Sequence, residues 1–266
     1  MEDSLWKHIQ TVKSVSPLIH SITNLVVMNN TANALLAVGA SPIMAHAHEE
    51  VKEMVGICQS LVANIGTIDE YIFQALTLAV EAANVLGKPW VLDPVGAGAT
   101  SFRDKILSEL LVQAPVVIRG NASEILALAK VSATKTKGAD STVQSDEAID
   151  AARYLCQRYG TIVCVSGKKD IIVSENRLIT IANGSPLMTK VTGLGCSATA
   201  VIGAFVAVVD DKVEAVAAAT ALFSICGELA AKQCNGPGSL QVLLLDKLYN
   251  LTEREFNNHL RIHFND

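Results

Sequence analysis

The stretch VTGLGCSATA, residues 191–200, concentrates groups able to do chemistry. Gly193 and Gly195 bracket one residue, Cys196 follows at once, and a run of small apolar residues then reads as a helix. Glycines allow a tight turn and a close approach of backbone to a ligand. The free N–H groups and positive dipole end of the helix behind them make such a turn a cup for an anion. A thiol held there is expected to have a lowered pKa and appreciable thiolate character. A structural glycine turn beside a buried cysteine is the plainer alternative.

Further candidates stand where apolar runs end. Asp93 follows PWVL and opens DPVGAG. Arg119 follows PVVI and precedes Gly120-Asn121-Ala122-Ser123-Glu124, and Ser166 follows TIVCV and precedes Gly167-Lys168-Lys169. A nucleotide phosphate with Mg²⁺ takes this set. Carboxylates hold the hard cation, usually through water, while arginine and backbone N–H groups bind phosphate oxygens. Each residue also has a local explanation. Asp93 before proline can start a turn, and Asn121 with Glu124 matches a capping box. Arg119 is harder to explain locally, because a guanidinium ending an apolar strand is costly without an anionic partner.

These residues need a scaffold. Apolar runs at 41–45, 61–66, 89–96, 115–121 and 161–167 read as buried strands. Helical patterns at 24–38, 49–61, 69–86, 123–129 and 145–159 alternate with them. Such alternation predicts an α/β fold, a mostly parallel central sheet with helices on both faces, with ligands at the carboxyl ends of the strands. Residues 170–184 carry two β runs around SEN, which predicts a hairpin or antiparallel edge. Two alanine-rich helices are expected at 196–209 and 212–233. No repeat or linker divides the chain, so one domain over residues 1–266 is expected.

Composition narrows the function. The chain has 266 residues, half of them hydrophobic, and a net charge of −5. There is no basic stripe for a nucleic acid. The start MEDSLWKHIQ does not read as a signal peptide, and the apolar run 198–209 falls short of the roughly 18 residues of a membrane span. A soluble, cytoplasmic protein without a membrane partner is expected. The six cysteines form no C-x-x-C pair and read mostly as small buried hydrophobes. His46 and His48 read as a surface pair. Gly193-x-Gly195-x-x-Ala198 satisfies a dinucleotide fingerprint, but it comes late and two long helices follow it. No P-loop motif is present.

The late glycine turn together with Asn121-Ala122-Ser123-Glu124 resembles the ribokinase-like small-molecule kinases, most of which carry aspartate where Cys196 stands. TGLGCSATA, HSITNLVVMNNTANALLAVGASPIMA (20–45), VLDPVGAGAT (91–100) and GPGSLQVLLLD (236–246) together resemble the hydroxyethylthiazole kinase family over nearly the whole chain. The resemblance implies a ribokinase-like three-layer sandwich. It implies ATP- and Mg²⁺-dependent phosphorylation of the alcohol of 4-methyl-5-(2-hydroxyethyl)thiazole in thiamin salvage. Carried over by motif, Cys196 would be the general base and Gly193 to Cys196 would cradle the transferring phosphoryl group. Asp93 and Glu124 would organise Mg²⁺, Arg119 and Ser166 would contact ATP, and Met44, Gly193 and Asn24 would meet the thiazole substrate. Ser166 stands where threonine is more frequent, and Leu194 where a polar residue often separates the glycines. A homotrimer with pockets at subunit boundaries is also implied. Asn24 equally suits a helix N-cap before its apolar run. Alternatives are a hydroxymethylpyrimidine kinase, a nicotinamide-nucleotide hydrate dehydratase, or a non-catalytic nucleotide-binding protein on the same scaffold.

Overall fold

Alternating apolar runs and helical stretches build one nine-stranded sheet. The computed structural model describes residues 2–132 and 144–265. The first half runs α1 (Glu2–Val15), β1 (Leu18–Ile22), α2 (Met28–Ala37), β2 (Ser41–Ile43), α3 (Val51–Ile57), β3 (Ser60–Asn64), α4 (Glu70–Val85), β4 (Trp90–Asp93) and α5 (Ser101–Leu111). It continues through β5 (Val117–Asn121), α6 (Ala122–Ser132), α7 (Gln144–Tyr159), β6 (Ile162–Ser166), β7 (Asp170–Val173) and β8 (Leu178–Ile181). A 3₁₀ turn (Pro186–Lys190) leads to α8 (Leu194–Val208), α9 (Lys212–Gln233), α10 (Pro237–Asn250), α11 (Glu253–His259) and β9 (Ile262–Asn265).

The strand order is β2-β1-β3-β4-β5-β6-β7-β8-β9. Pairings from β2 to β6 are parallel, and those from β6 to β9 are antiparallel. The expected hairpin is therefore present as β7 and β8. Successive side chains on a strand face opposite ways, and both faces are buried. Val62, Val91 and Val117 join a core with α1, α2, α8, α9 and α10. Their neighbours Leu61, Leu92 and Ile118 join a second core with α3 to α7.

Several elements begin where side chains dictate. Asp69 accepts from the Ile72 N–H and starts α4, and Thr100 does the same for α5 through the Arg103 N–H. The helix expected over 24–38 begins only at Met28, and its cap residue Val27 makes no side-chain bond. Asn24 is therefore not an N-cap. Strand β1, LIHSI, had no counterpart among the expected strands because His20 and Ser21 break its apolar run. Both are buried, and the His20 ring bonds the Ala45 carbonyl at 2.7 Å. Helix α9 is long and apolar enough to cross a membrane by length and composition, yet 94% of its apolar window is buried inside the protein. It is a core helix here.

Candidate active site

Parallel pairing brings the strand ends into line. Asn64 is in register with Asp93, and Asn121 with Ser166. The turn before α8 lies against these ends. Gly193 has φ +79°, the left-handed conformation that glycine adopts without strain. A Cβ there would also overlap the Val27 side chain. The first helical bond of α8 runs from the Ser197 N–H to the Gly193 carbonyl, and no side chain caps the helix. The amides of Leu194, Gly195 and Cys196 thus lack intrahelical partners.

A hydrogen-bonded cluster fills the space beside the turn. Asp93 is 3% exposed, and its Oδ2 accepts from Asn64 Nδ2 at 2.7 Å and from the Thr199 hydroxyl at 2.8 Å. Burial pushes its carboxyl up to about 6, although Arg119 and the two donors pull the other way. Asn24 Nδ2 donates to Asn64 Oδ1 and to Cys196 Sγ, both at 3.2 Å. Arg119 donates to the Gly195 carbonyl at 3.0 Å, across the turn. Three residues singled out from separate segments, Asn24, Asp93 and Cys196, therefore meet in one network through Asn64.

The expected thiolate is overturned. Burial, and then the negative charge of Asp93, push the Cys196 thiol up to about 11, against the pull of the nearby Asn64 and Asn24 amides and the charge of Arg119. The helix terminus is present as expected, but the thiol beside it is buried, and desolvation disfavours the thiolate.

Glu124 is a capping residue and more. Its Oε2 accepts the Asn121 N–H at 2.8 Å while Asn121 Oδ1 accepts the Glu124 N–H, the reciprocal pair of a capping box. Its Oε1 accepts the Gly96 N–H at 3.0 Å and so holds the loop after Asp93. Ser166 donates to the Gly120 carbonyl at 3.3 Å. Met44 stands just past β2, two strands away from β3, and no hydrogen bond joins it to the cluster. His48 stacks on Tyr71 at 3.9 Å. Among the described residues no group of three or more His, Cys, Asp or Glu is arranged to hold a metal.

Comparison with known sequences decides the family. A sequence model of the hydroxyethylthiazole kinase family matches residues 9–254. The chain belongs to the hydroxyethylthiazole kinase family. A hydroxyethylthiazole kinase of Syntrophus aciditrophicus is 52% identical over 261 residues, covering 98% of this chain and 97% of the relative. The solved hydroxyethylthiazole kinase of Pyrococcus horikoshii OT3 superposes with a TM-score of 0.92 at 39% identity, covering 99% of this chain and all of that one. A ribokinase-like superfamily protein of Enterococcus faecalis V583 shares the fold alone, with a TM-score of 0.64 at 14% identity over 89% of this chain and 88% of its own. The ribokinase-like fold is thus the one the motif resemblance implied, and the mostly parallel sheet the one the strand pattern predicted.

Two structural supports in this family member had no obvious sequence signal. Asn64 lies inside the strand expected over 61–66, where nothing marks it as a support, and it closes β3. Arg103 lies in SFRDK, which reads as an exposed helix start. Its guanidinium instead donates to the carbonyls of Ile65 at 2.5 Å, Val95 at 2.8 Å and Gly66 at 2.8 Å, tying the loops after β3 and β4 together. Charged hydrogen bonds of this kind contribute about 1.5–3 kcal/mol each. Arg103→Ala is expected to lower stability by about 2–4 kcal/mol in urea unfolding. Arg103→Lys restores little of it, because a single ammonium nitrogen lacks the planar two-nitrogen fork that reaches carbonyls on both loops. Wild-type stability in either variant would remove Arg103 from this role.

Proposed function

We propose that this chain phosphorylates the primary alcohol of 4-methyl-5-(2-hydroxyethyl)thiazole with ATP and Mg²⁺, as a step of thiamin salvage. The observation that carries the reading is the uncapped turn Gly193–Cys196 facing the Asp93–Asn64–Asn24–Cys196 network, on a chain about half identical to named hydroxyethylthiazole kinases.

The residues suit magnesium rather than a fully protein-bound metal. Mg²⁺ is usually held by one or two carboxylates, waters and substrate phosphates. Asp93 supplies a buried carboxylate whose two donors both fall on Oδ2. Both Glu124 oxygens already accept backbone N–H bonds, which favours a hold through water. Bound Mg²⁺ would neutralise charge on the transferring phosphates.

In this reading Arg119 and Ser166 hold ATP, with Arg119 pairing a phosphate oxygen from the floor of the turn. The free amides from Leu194 to Cys196 receive the transferring phosphoryl group. Asn24, Gly193 and Met44 border the thiazole substrate. Apolar Leu25 and Val26, 60 and 66% exposed beside Asn24, fit a surface covered by another copy, in keeping with the homotrimer that the family resemblance implies. A single-chain mass in light scattering would remove the trimer.

Phosphoryl transfer passes through a loose transition state, so positioning and electrostatics outweigh early proton removal. A largely neutral thiol is tolerable as the base under these conditions. Cys196→Ser is expected to retain activity reduced by about 10- to 100-fold, and Cys196→Asp to remain active. Complete loss in a folded Cys196→Asp enzyme would remove the base assignment.

ADP release from Mg-ATP with hydroxyethylthiazole, hydroxymethylpyrimidine and ribose tests the substrate. Turnover dependent on the thiazole supports the proposal. Preference for the pyrimidine favours the neighbouring kinase activity, and ATP binding without turnover favours a binding protein.

A further inference from the structure

The Asp93–Cys196 network has a polarity that chemistry fixes. Asn64 is 2% exposed and cannot fall back on solvent. A carboxylate only accepts hydrogen bonds and a backbone N–H only donates them. Asn64 meets one of each: its Nδ2 lies 2.7 Å from Asp93 Oδ2, and its Oδ1 accepts the Gly66 N–H at 2.9 Å. Two independent partners thus dictate the same amide orientation. Oδ1 therefore faces Asn24, which must answer with its own NH₂ group. The same Asn24 nitrogen carries a second hydrogen, and Cys196 Sγ lies 3.2 Å from it. Sulfur is left as the acceptor of that bond.

The surroundings hold this chain in place. A Cβ on Gly66 would come within 2.7 Å of the Asn24 amide, so the loop after β3 closes tightly over it. Arg103 grips the Gly66 carbonyl from the other side. Thr199 donates to the same Asp93 oxygen as Asn64 and lies 3.2 Å from the Gly195 carbonyl. Thr199 therefore spans from the buried carboxylate to the turn.

We propose that Asn64 is a positioning residue for phosphoryl transfer: by reading the Asp93 carboxylate and the Gly66 N–H, it locks the Asn24 amide so that Cys196 Sγ is presented as a hydrogen-bond acceptor. This rests on the thiazole-kinase reading of the site. Asn64 is buried and acts through Asn24, Asp93 and the Gly66 N–H. It transmits the orientation of the carboxylate on the phosphate side to the sulfur on the alcohol side. Without it, Asn24 is free to turn its amide oxygen toward the thiol, which reverses the bond.

The test compares the wild type with Asn64→Leu, similar in size and without polar atoms, with Asn64→Ala in its place if the leucine protein does not fold. Alkylation of Cys196 by iodoacetamide at one fixed pH, read on its own peptide by mass spectrometry, needs no substrate. The rate is expected to fall about fivefold, because the sulfur loses a donor that favours its reactive form. On the thiazole alcohol, kcat is expected to fall about 10- to 100-fold while KM for ATP stays within about twofold, a split that a general loss of structure does not produce. An alkylation rate equal to or above the wild type overturns the proposal. So does a kcat within about threefold of wild type, or a loss carried by KM for ATP. A wild type that turns over no thiazole alcohol overturns the activity reading instead, and the alkylation rates then decide on Asn64 alone.

Discussion

Gly193→Val is expected to lower kcat/KM by about a thousandfold or more. Two effects coincide at this position. The left-handed backbone at φ +79° costs a residue with a Cβ about 1–2 kcal/mol, and the Cβ drives into Val27. The turn must open, and the free amides of residues 194–196 are then displaced. Losing a single preorganised donor costs about 10²–10³ in rate, and this substitution displaces several. Gly193→Ala is expected to be milder in stability yet still strongly impaired. Gly195 is less demanding, because a Cβ there meets only the end of the Arg119 side chain at 3.3 Å. Kinetics on all three variants check the ranking. An active Gly193→Val enzyme, or a Gly195→Ala enzyme more damaged than Gly193→Ala, would contradict the role given to the turn.

Asp93→Asn is expected to lose about a thousandfold in kcat while melting at or above the wild-type temperature. The fold disfavours the ionised form of this carboxyl, as its rise from 3.8 to about 6 records. A neutral amide of the same shape can still accept from Asn64 and Thr199 through its oxygen. It cannot supply the charge that a magnesium-phosphate site needs. The pH dependence follows from the raised value. In the wild type without metal, the folded state binds more protons at this group than the unfolded state between about pH 4 and 6, so stability falls as pH rises through that window. The melting advantage of Asp93→Asn should therefore be absent below pH 4 and full above pH 6, measured in EDTA. A variant that melts lower at neutral pH would assign Asp93 a structural role.

Glycines and strand ends made much of the site legible in the sequence. Gly193 was readable because only a turn explains two glycines before a helical run, and Asp93 because a carboxylate stood at the end of an apolar strand. Arg119 was readable because its charge needs an anionic partner at a strand end; it acts on the buried Asp93 carboxyl, and the neutral Gly195 carbonyl accepts from it. The alternation of strands and helices anticipated the parallel part of the sheet, and the break at SEN anticipated its antiparallel edge.

What stayed hidden depends on burial and long-range contact. The Cys196 thiol is raised, not lowered, because the space around it is closed by residues 24 and 64, far away in the chain. Asn24 looked like a helix cap because local sequence cannot show an amide partner 40 residues later. Arg103 looked exposed because its three carbonyl partners belong to loops that only the sheet brings together. Strand β1 was masked by a histidine whose partner, the Ala45 carbonyl, lies 25 residues on.

The proposed reaction moves a phosphoryl group from ATP to the thiazole alcohol at the Gly193–Cys196 turn. Phosphorus NMR of the enzyme with Mg-ATP and hydroxyethylthiazole tests it directly. One new phosphomonoester resonance is expected to grow in step with ADP, abolished by EDTA and absent with Gly193→Val. Growth of inorganic phosphate in place of the monoester, or an unchanged ATP spectrum, would contradict it.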